Sequence, residues 1–212
     1  MAQKFKLFTV GHSNQTQDEF LHLLRENDIN CIVDVRSVPA SKYASQFNED
    51  ILRWFLKYNG IHYLHFGEEF GARRYDCLNE DGQVDFELAI QTPAFLHGVQ
   101  RIIKGLESGY HIALMCSEAN PLECHRFSFL SRYFHEHGFD VQHILKDAVV
   151  VPHTTLEHVM IEEYKKSRKH HLPDTNDLFG SYTVEDQLRD AYRLKNKEIG
   201  YRPASQEENI YT

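Results

Sequence analysis

The sequence predicts an α/β protein with a mostly parallel sheet of about five strands, helices on both faces and a helical extension at the C-terminus. Short, continuous apolar runs recur along the chain, and such runs are typical of strands that are buried on both faces of a sheet. Segments with apolar residues at helical spacing separate these runs. This alternation of strand and helix favours a parallel sheet covered by helices.

Five apolar runs are predicted to be strands, and they lie at 6–10, 31–35, 61–64, 111–116 and 139–145. The first helix is predicted to begin at a capping box, in which Thr16 caps the helix and Glu19 follows three residues later. Asn48 is predicted to cap the second helix. Further helices are predicted at 93–107, 121–137, 154–169 and 184–199. A polar stretch at about 67–83 lacks periodicity and is predicted to be a surface loop, and loops of this length are often functional.

Length and composition exclude several classes of protein. The chain has 212 residues, of which 42% are hydrophobic and 25% charged, so it is neither disordered nor collagen-like. No apolar run approaches the roughly 20 residues needed to cross a bilayer, and we expect no membrane partner. Four cysteines are too few for a disulfide scaffold, which favours a reducing, cytoplasmic location. The formal charge of −8 disfavours binding to long nucleic acids, although it does not exclude a local basic site.

The composition changes near residue 171. We predict that residues 1–171 form the main domain and residues 172–212 a C-terminal extension, which begins with a linker-like stretch. The extension cannot bury enough surface to fold alone. It contains the aromatic residues Phe179, Tyr182, Tyr192 and Tyr201, which are too many for a free tail. We therefore expect it to pack on the main domain or on a second subunit, so that a homodimer is possible.

Polar residues collect where the predicted strands end, and ligands of open parallel sheets bind outside those ends. They are His12 and Ser13 after the first strand, Asp34 and Arg36 at the second, and Cys116 and Glu118 after the fourth. A buried carboxylate such as Asp34 needs a partner, which Arg36 could supply. His12 is either a base that Asp34 orients or a loop histidine bonded to the backbone. We expect these side chains, together with Arg126, to share one cleft.

Residues 115–126, with the sequence Met-Cys-Ser-Glu-Ala-Asn-Pro-Leu-Glu-Cys-His-Arg, form the most informative stretch. Asn120 is predicted to cap a helix, and a proline follows at the first helical position. His125 and Arg126 would then lie two turns into the helix, where a positive charge opposes the macrodipole. Arg126 therefore needs a negative partner, which is either Glu118 in a structural ion pair or a bound anion.

Four motifs carry a resemblance to a known family. They are Thr9-Val10-Gly11-His12-Ser13, Val33-Asp34-Val35-Arg36-Ser37-Val38-Pro39, Gly60-Ile61-His62-Tyr63, and Met115-Cys116-Ser117-Glu118 through Pro121 to Cys124-His125-Arg126. With the tail segments Asp177-Leu178-Phe179 and Ala191-Tyr192, they resemble the DUF488 family, a domain of unknown function. Lys42 departs from the pattern, because an arginine is expected there; lysine keeps the charge but loses a bidentate donor. The resemblance implies a three-layer α/β/α fold and a shared polar site, and it implies no known reaction.

Common catalytic and metal motifs are absent from the sequence. A phosphatase or rhodanese loop places its cysteine a few residues before an arginine, whereas nine residues separate Cys116 from Arg126. There is no P-loop, no dinucleotide-binding glycine motif, no nucleophile-elbow serine and no His-Glu-x-x-His. Zinc is conceivable through Cys116, Cys124 and His125, but they lack the paired spacing of structural zinc ligands. No metal site is therefore predicted, and the sequence leaves open whether these three residues bind a metal or are redox-active.

Two cysteines belong to the candidate site. Cys116 ends a strand and precedes a helix N-terminus, a setting that lowers the pKa of a thiol. Packing in the core explains its position equally well, since free cysteine is among the most buried residue types. Cys124 lies beside an apolar stripe of the predicted helix, and we predict that it is a buried, inert thiol.

The sequence favours an enzyme that acts on a small anionic or nucleotide-like ligand, while its substrate, reaction and cofactor stay open. The candidate catalytic residues are His12, Asp34, Cys116, Glu118 and His125, and the candidate substrate-binding residues are Ser13, Arg36, Lys42, Tyr63 and Arg126. In this hypothesis cationic side chains hold the anion, Glu118 or His12 transfers protons, and Cys116 is a nucleophile. The alternatives are a ligand- or nucleic-acid-binding module without turnover, and a structural or interaction protein whose polar cluster stabilises the fold.

Overall fold

A six-stranded sheet lies at the centre of the computed structural model, which describes residues 5–167, 169–170, 172–173, 175 and 182–203. The strands are β1 (Lys6–Gly11), β2 (Cys31–Asp34), β3 (His62–His65), β4 (Ile112–Cys116), β5 (Asp140–Ile144) and β6 (Val150–Pro152). Their order is β3-β2-β4-β1-β5-β6. The first five strands pair in parallel, and β6 pairs antiparallel with β5. The prediction of a mostly parallel α/β sheet is confirmed, and the short strand β6 was not predicted from the sequence.

Helices cover both faces of this sheet. Those in the described residues are α1 (Gln17–Glu26), α2 (Glu49–Tyr58), α3 (Gly67–Phe70), α4 (Phe86–Ala89), α5 (Pro93–Glu107), α6 (Arg132–Glu136), α7 (His153–Lys166) and α8 (Val184–Ile199). The capping box predicted for α1 is present, because the Glu19 N–H donates to Thr16 Oγ1 and the Glu19 carboxylate accepts from the Thr16 N–H. No described helix is long and apolar enough to cross a bilayer.

The two faces of the sheet pack against different helices, because successive residues of a strand point to opposite faces. On one face, α1 and α2 pack over a cluster that contains Val10, Phe20, Leu24, Ile32, Leu52, Leu56, Ala113 and Met115. On the other face, α5 and α6 pack over a cluster that contains Leu7, Val33, Phe95, Ile102, Leu114, Cys116 and Phe134. The core therefore has two halves, and the central strand β4 contributes to both.

The helix predicted over 121–137 is wrong in its first part. Pro121–Glu123 form only a 3₁₀ turn, and Cys124 is then extended, with φ −130° and ψ 143°. A π-helical segment follows over Arg126–Ser131 and leads into α6. His125 and Arg126 thus stand at the start of a helical segment instead of two turns inside one. Apolar spacing continues across this break, so periodicity alone cannot detect it.

The polar loop after β3 is held in place by a buried arginine. The two Nη atoms of Arg74 donate to the main-chain oxygens of Glu68 and Glu69 at 3.1 Å and to Thr92 Oγ1 at 2.9 Å. These hydrogen bonds join the loop to α3 and to the residue that caps α5. The stretch at 67–83 is therefore anchored at its middle, next to the sheet edge where the candidate residues lie.

Helix α8 packs on α7 and on the π-helical segment. The apolar cluster between them contains Leu122, Phe127, Met160, Tyr164, Ala191 and Tyr192. At the end of α8, Gln83 Nε2 donates to the main-chain oxygens of Lys197 at 3.0 Å and Gly200 at 2.8 Å. The segment Asp177-Leu178-Phe179 lies outside the described residues, and the division at residue 171 stays a prediction.

Candidate functional site

The carboxyl ends of β1, β2 and β4 meet at one edge of the sheet, because β4 lies between the other two strands. Backbone hydrogen bonds continue this pairing beyond the strands. The His12 N–H donates to the Cys116 oxygen, and the Val35 N–H donates to the Met115 oxygen, both at 3.0 Å. The polar residues that follow these three strands are therefore drawn to one region.

Close packing at this edge requires the glycine at position 11. A Cβ atom there would lie 1.8 Å from the main-chain oxygen of Glu118 and 3.1 Å from Arg126 Nη1. The approach to the Glu118 oxygen is sterically impossible for a side chain, and the approach to Arg126 is tight. The segment after β4 consequently passes directly against the end of β1.

Strand alternation divides the candidate residues into two groups. Ile32 and Met115 pack toward α1 and α2, whereas Val33 and Cys116 pack toward α5. Asp34 follows Val33 and so belongs to the face of α1 and α2. The Asp34 carboxylate and the Cys116 thiol thus lie on opposite faces of the sheet, although their strands are neighbours.

Asp34 and Arg36 form a fully buried ion pair. Arg36 Nη2 and Nε donate to the Asp34 carboxylate at 2.5 and 2.9 Å, and the Tyr63 hydroxyl donates to it at 2.6 Å. Arg36 Nη2 also donates to the Phe47 oxygen at 2.8 Å. Burial opposes the charge of Arg36, yet Asp34 raises the pKa of the guanidinium above its ordinary value. This group supplies the buried carboxylate with the partner that it needs.

His12 belongs to the same network and is neutral. Its Nδ1–H donates to the Ser13 oxygen at 2.7 Å, and its Nε2 accepts from Arg36 Nη1 at 3.1 Å. Its ring stacks on that of Phe47. Burial, together with the charge of Arg36, lowers the pKa of His12 to about 4. Arg36 stands between His12 and Asp34, and both ring nitrogens have partners, which leaves His12 poorly placed to accept a proton from a ligand.

A cleft of about 230 Å³ lies at this edge of the sheet. The predicted site residues that line it are Arg36, Cys116, Glu118 and His125. Its other lining residues are Ser37, Val38, Ala72, Arg73, Ser117, Glu123, Cys124, Ile199 and Tyr201. The wall of the cleft therefore combines the ends of β2 and β4, the loop after β3 and the end of α8.

The two sulfur atoms of Cys116 and Cys124 and a ring nitrogen of His125 lie within 4.8 Å of one another. His125 Nδ1 is 3.8 Å from Cys116 Sγ and 3.7 Å from Cys124 Sγ. His125 Nε2 lies 3.3 Å from the Val35 oxygen, which can only accept, so Nε2 carries a hydrogen. The extended backbone at Cys124 turns its thiol toward Cys116 and away from the helical stripe expected from the sequence.

The two cysteines of this group differ in acidity. Burial opposes ionisation of the Cys124 thiol, but a hydrogen bond from Cys116 and the charge of Arg126 hold its pKa well below the usual value. The same hydrogen bond raises the pKa of Cys116 well above its usual value. Burial and the nearby Cys124 raise the pKa of the Glu118 carboxyl. Cys124 is thus the acidic thiol of the pair. The burial predicted for it from the sequence is confirmed.

Arg126 is fully buried and does not line the cleft. Its Nη1 and Nη2 donate to the main-chain oxygens of Glu118 at 2.6 Å and Ala119 at 3.1 Å. The Arg126 backbone N–H donates to Cys124 Sγ at 3.4 Å. The guanidinium is therefore bonded to two carbonyl oxygens, and its contact with Glu118 runs through the Glu118 backbone and not through the carboxylate.

Arg73, Ser37 and Tyr201 were not predicted from the sequence, although all three line the cleft. The Arg73 guanidinium lies over the Tyr201 ring, 5.3 Å from its centre, and the Arg73 N–H donates to Ser37 Oγ at 2.9 Å. The only sequence signal was the length of the loop that carries Arg73. Three other candidates do not reach the cleft: Lys42 is exposed, Ser13 Oγ donates to Asn14, and Tyr63 is bonded to Asp34.

Comparison with protein families matches residues 16–133 to the model of a domain of unknown function, DUF488. This segment is more than half of the chain. The chain belongs to the DUF488 family. The matched DUF488 segment includes Arg36, Arg73 and the whole stretch from Cys116 to Arg126, but not His12 or α8. No curated protein and no solved structure matched the chain significantly.

Proposed function

We propose that this DUF488 protein is an enzyme that acts on a small anionic ligand bound in the cleft at the ends of β2 and β4. The observation that carries this proposal is the composition of one cleft. It combines four groups capable of proton transfer, nucleophilic attack or metal binding with two guanidinium groups, and these residues are Cys116, Glu118, Cys124, His125, Arg36 and Arg73.

Arg73 is the side chain best suited to hold the anion. The charge of Arg36 is shared with Asp34, whereas Arg73 is exposed and rests on the Tyr201 ring. Stacking uses the face of a guanidinium, so its N–H donors can still bind a phosphate or carboxylate in a bidentate manner. Anion binding in this cleft would therefore depend on Arg73 first and on Arg36 second.

The size of the cleft limits the ligand. About 230 Å³ is below the roughly 300–1,000 Å³ of pockets that enclose drug-sized molecules. The formal charge of −8 opposes long anionic polymers. These two facts favour a ligand of the size of a phosphate ester or a short carboxylate over a nucleic acid.

The reaction would take place at the floor formed by Cys116, Glu118, Cys124 and His125. Glu118 lines the cleft with a carboxyl group that can transfer a proton to or from the ligand. The sulfur atoms can act either as nucleophiles or as ligands of a metal ion that activates the substrate. A reducing, cytoplasmic location belongs to the proposal, because both routes need thiols that are not oxidised.

The buried network of His12, Asp34, Arg36 and Tyr63 favours a different role for part of the predicted site. Its members bind one another, and His12, Asp34 and Tyr63 do not line the cleft. We assign these three residues to holding Arg36 and the end of β2 in place. This half of the polar cluster therefore has the structural role that is one of the alternatives open from the sequence.

Arg73→Ala tests the proposal, with Arg25→Ala as the matched control. Arg25 is an exposed arginine near the end of α1 that donates to Asn59. Inorganic phosphate and a panel of phosphate monoesters would be titrated by calorimetry, and turnover of any bound ester followed by ³¹P NMR. We expect the parent protein and Arg25→Ala to bind with equal affinity and Arg73→Ala to bind at least about 10-fold more weakly, which corresponds to about 1.4 kcal/mol.

Two results would contradict the proposal. Equal affinity of the parent and Arg73→Ala for every anion would show that the cleft is not the binding site. Tight binding without turnover of any ester would instead support the alternative of a binding module.

A further inference from the structure

We propose that Cys116, Cys124 and His125 bind one thiophilic divalent cation of the zinc class, with a fourth coordination position open to the cleft. This inference names a cofactor for the candidate active site. Its catalytic meaning rests on the proposed function, whereas metal binding itself does not.

The distances between the three donor atoms fit a tetrahedral metal. Zn–S bonds of about 2.3 Å and Zn–N bonds of about 2.0–2.1 Å, at tetrahedral angles, separate a sulfur from a nitrogen by about 3.6 Å. His125 Nδ1 lies 3.8 Å from one sulfur and 3.7 Å from the other. His125 Nδ1 is therefore within a few tenths of an ångström of the required distance from each sulfur, an estimate based on those bond lengths. The two sulfur atoms lie within 4.8 Å of each other and would need to come to about 3.8 Å to share one ion.

The orientation of His125 is that of a metal ligand. Metal-bound histidines usually donate their second ring N–H to a carbonyl or carboxylate, which fixes the ring and its tautomer. Here Nε2–H points to the Val35 oxygen at 3.3 Å, which leaves Nδ1 to face the two sulfur atoms. The Arg126 N–H donates to Cys124 Sγ at 3.4 Å and orients that sulfur. Two of the three donors thus have a supporting hydrogen bond.

The backbone explains why the spacing of these residues in the sequence argues against a metal site. Structural zinc sites usually have pairs of ligands at short spacing, and here Cys116 precedes Cys124 by eight residues. Cys116 is at the end of β4, Cys124 is a single extended residue, and His125 has a helical backbone and begins the π-helical segment. The 3₁₀ turn at Pro121–Glu123 reverses the chain and returns Cys124 and His125 to the end of β4.

The number of ligands points to a catalytic metal. Structural zinc sites use four protein ligands, whereas catalytic sites use three and keep one position for water or substrate. Cys116, Cys124 and His125 all line the cleft, together with the carboxyl group of Glu118. Two thiolates and a neutral imidazole would cancel the charge of a divalent ion, so the anion would still be attracted mainly by Arg73.

Metal binding would be measured on the full chain after treatment with a chelator, in the presence of a phosphine reductant. Zinc uptake would be titrated against a chromophoric chelator, and cobalt would report thiolate ligands through its charge-transfer absorption. We expect one metal per chain. Cys116→Ser and Cys124→Ser should each weaken binding by more than about 10-fold, the lower limit of the cost of losing even an outer-shell partner.

Cys31→Ser and Cys77→Ser are the matched controls, because both remove a buried thiol outside the cleft. We expect the parent affinity in both. Equal loss in all four variants, or no cobalt–thiolate band in the parent, would overturn the inference. A Cys116–Cys124 disulfide in the isolated protein, with no metal uptake after reduction, would also overturn it.

X-ray absorption of the zinc-loaded parent protein provides a test that does not depend on the folding of variants. Sulfur scatterers at about 2.3 Å and nitrogen at about 2.0–2.1 Å are expected, and a shell of oxygen and nitrogen alone would refute the site. These measurements use no anionic ligand. If metal binding fails, the phosphate titration of Arg73→Ala can still be interpreted. If phosphate binding fails, the metal-binding measurements can still be interpreted.

Discussion

At the scale of single residues, Arg126 is central to the stability of the site. It is fully buried, and it is the donor for the main-chain oxygens of Glu118 and Ala119. Arg126→Ala would leave both oxygens without this donor and would open a cavity. Glu118 and Ala119 are exposed residues, so water can replace the lost donor, and the cavity is the main cost. Removing a large buried side chain costs about 2–5 kcal/mol, so we expect a loss of at least about 2 kcal/mol in the free energy of unfolding.

Denaturant unfolding with and without phosphate would measure this loss. The control is Arg193→Ala, which removes an exposed arginine of α8 and should cost less than about 1 kcal/mol. A stability of Arg126→Ala within about 1 kcal/mol of the parent would contradict the structural role of this side chain. Stabilisation of the parent protein by phosphate that disappears in Arg126→Ala would instead assign Arg126 to the ligand.

Gly11 supports the same segment from the side of β1. Gly11→Ala would place a Cβ atom against the Glu118 oxygen, and overpacking of this kind costs about 1–3 kcal/mol. Gly105→Ala is the control. Gly105 lies within α5, where alanine favours the helix, and its Cβ would meet only the flexible end of the Ile112 side chain. Thermal unfolding should show a lower midpoint for Gly11→Ala alone. Equal unfolding midpoints for Gly11→Ala and the parent protein would show that the segment after β4 can move away from a Cβ atom at position 11 at little cost.

The residues also mark the limit of what the sequence predicts. Asp34 and Arg36 could be paired from the sequence, because a carboxylate within an apolar strand needs a partner. Cys124 could not be assigned, since its contact with Cys116 depends on one extended residue inside an apparently helical pattern. Arg73 could not be assigned either, because the fold of an aperiodic loop leaves no trace in residue spacing.

At the scale of secondary structure elements, a buried chain of hydrogen bonds links β1, β5, α7 and α8. Tyr192 donates to Glu157 at 2.7 Å and so accepts from His153 Nε2 at 2.8 Å. His153 Nδ1 then accepts from His143 Nε2 at 3.0 Å, and His143 Nδ1 accepts from Thr9 Oγ1 at 2.8 Å. This order holds only while both histidines are neutral.

Acid should therefore destabilise the protein. Burial and the nearby His135 lower the pKa of His153 to about 3, and burial lowers that of His143 well below its usual value. Between about pH 6.5 and pH 3 the unfolded chain binds protons that the folded chain excludes. The contribution of the neutral histidines to the free energy of unfolding is complete above about pH 6.5. As the pH falls below this value, the contribution of His153 alone decreases by about 1.4 kcal/mol per pH unit.

Denaturant unfolding from pH 7 to pH 4.5 would measure this dependence. The double variant His143→Gln, His153→Gln should have a shallower slope than the parent, whereas His158→Gln, which removes an exposed histidine of α7, should keep the parent slope. The same slope in all three proteins would rule out the buried histidines as its source.

Helix α7 and its partners were predicted as elements, but this contact between distant histidines was not.

At the scale of the whole molecule, the end of α8 couples the C-terminal extension to the cleft. Gln83 holds the last carbonyl groups of α8, and its neighbour Val84 donates its N–H to the Tyr201 oxygen at 2.9 Å. Ile199 and Tyr201 then line the cleft, where Tyr201 supports Arg73.

The alternation of strands and helices predicts the sheet and its two helical layers, because burial on both faces dictates the pattern. It cannot predict this coupling, which depends on single side chains in loops.

Gln83→Ala should therefore weaken both the packing of α8 and the binding of anions. Loss of its hydrogen bonds leaves carbonyl groups at the end of the helix without partners, and the expected cost is about 1–3 kcal/mol. Gln91→Ala is the matched control, since Gln91 is an exposed residue that donates to Glu87 within its own turn. Hydrogen exchange of the last turn of α8 should accelerate in Gln83→Ala only, and its phosphate affinity should fall in parallel. If exchange accelerates while the affinity stays at the parent value, the C-terminal extension does not help to hold Arg73, and the cleft is built by the main domain alone.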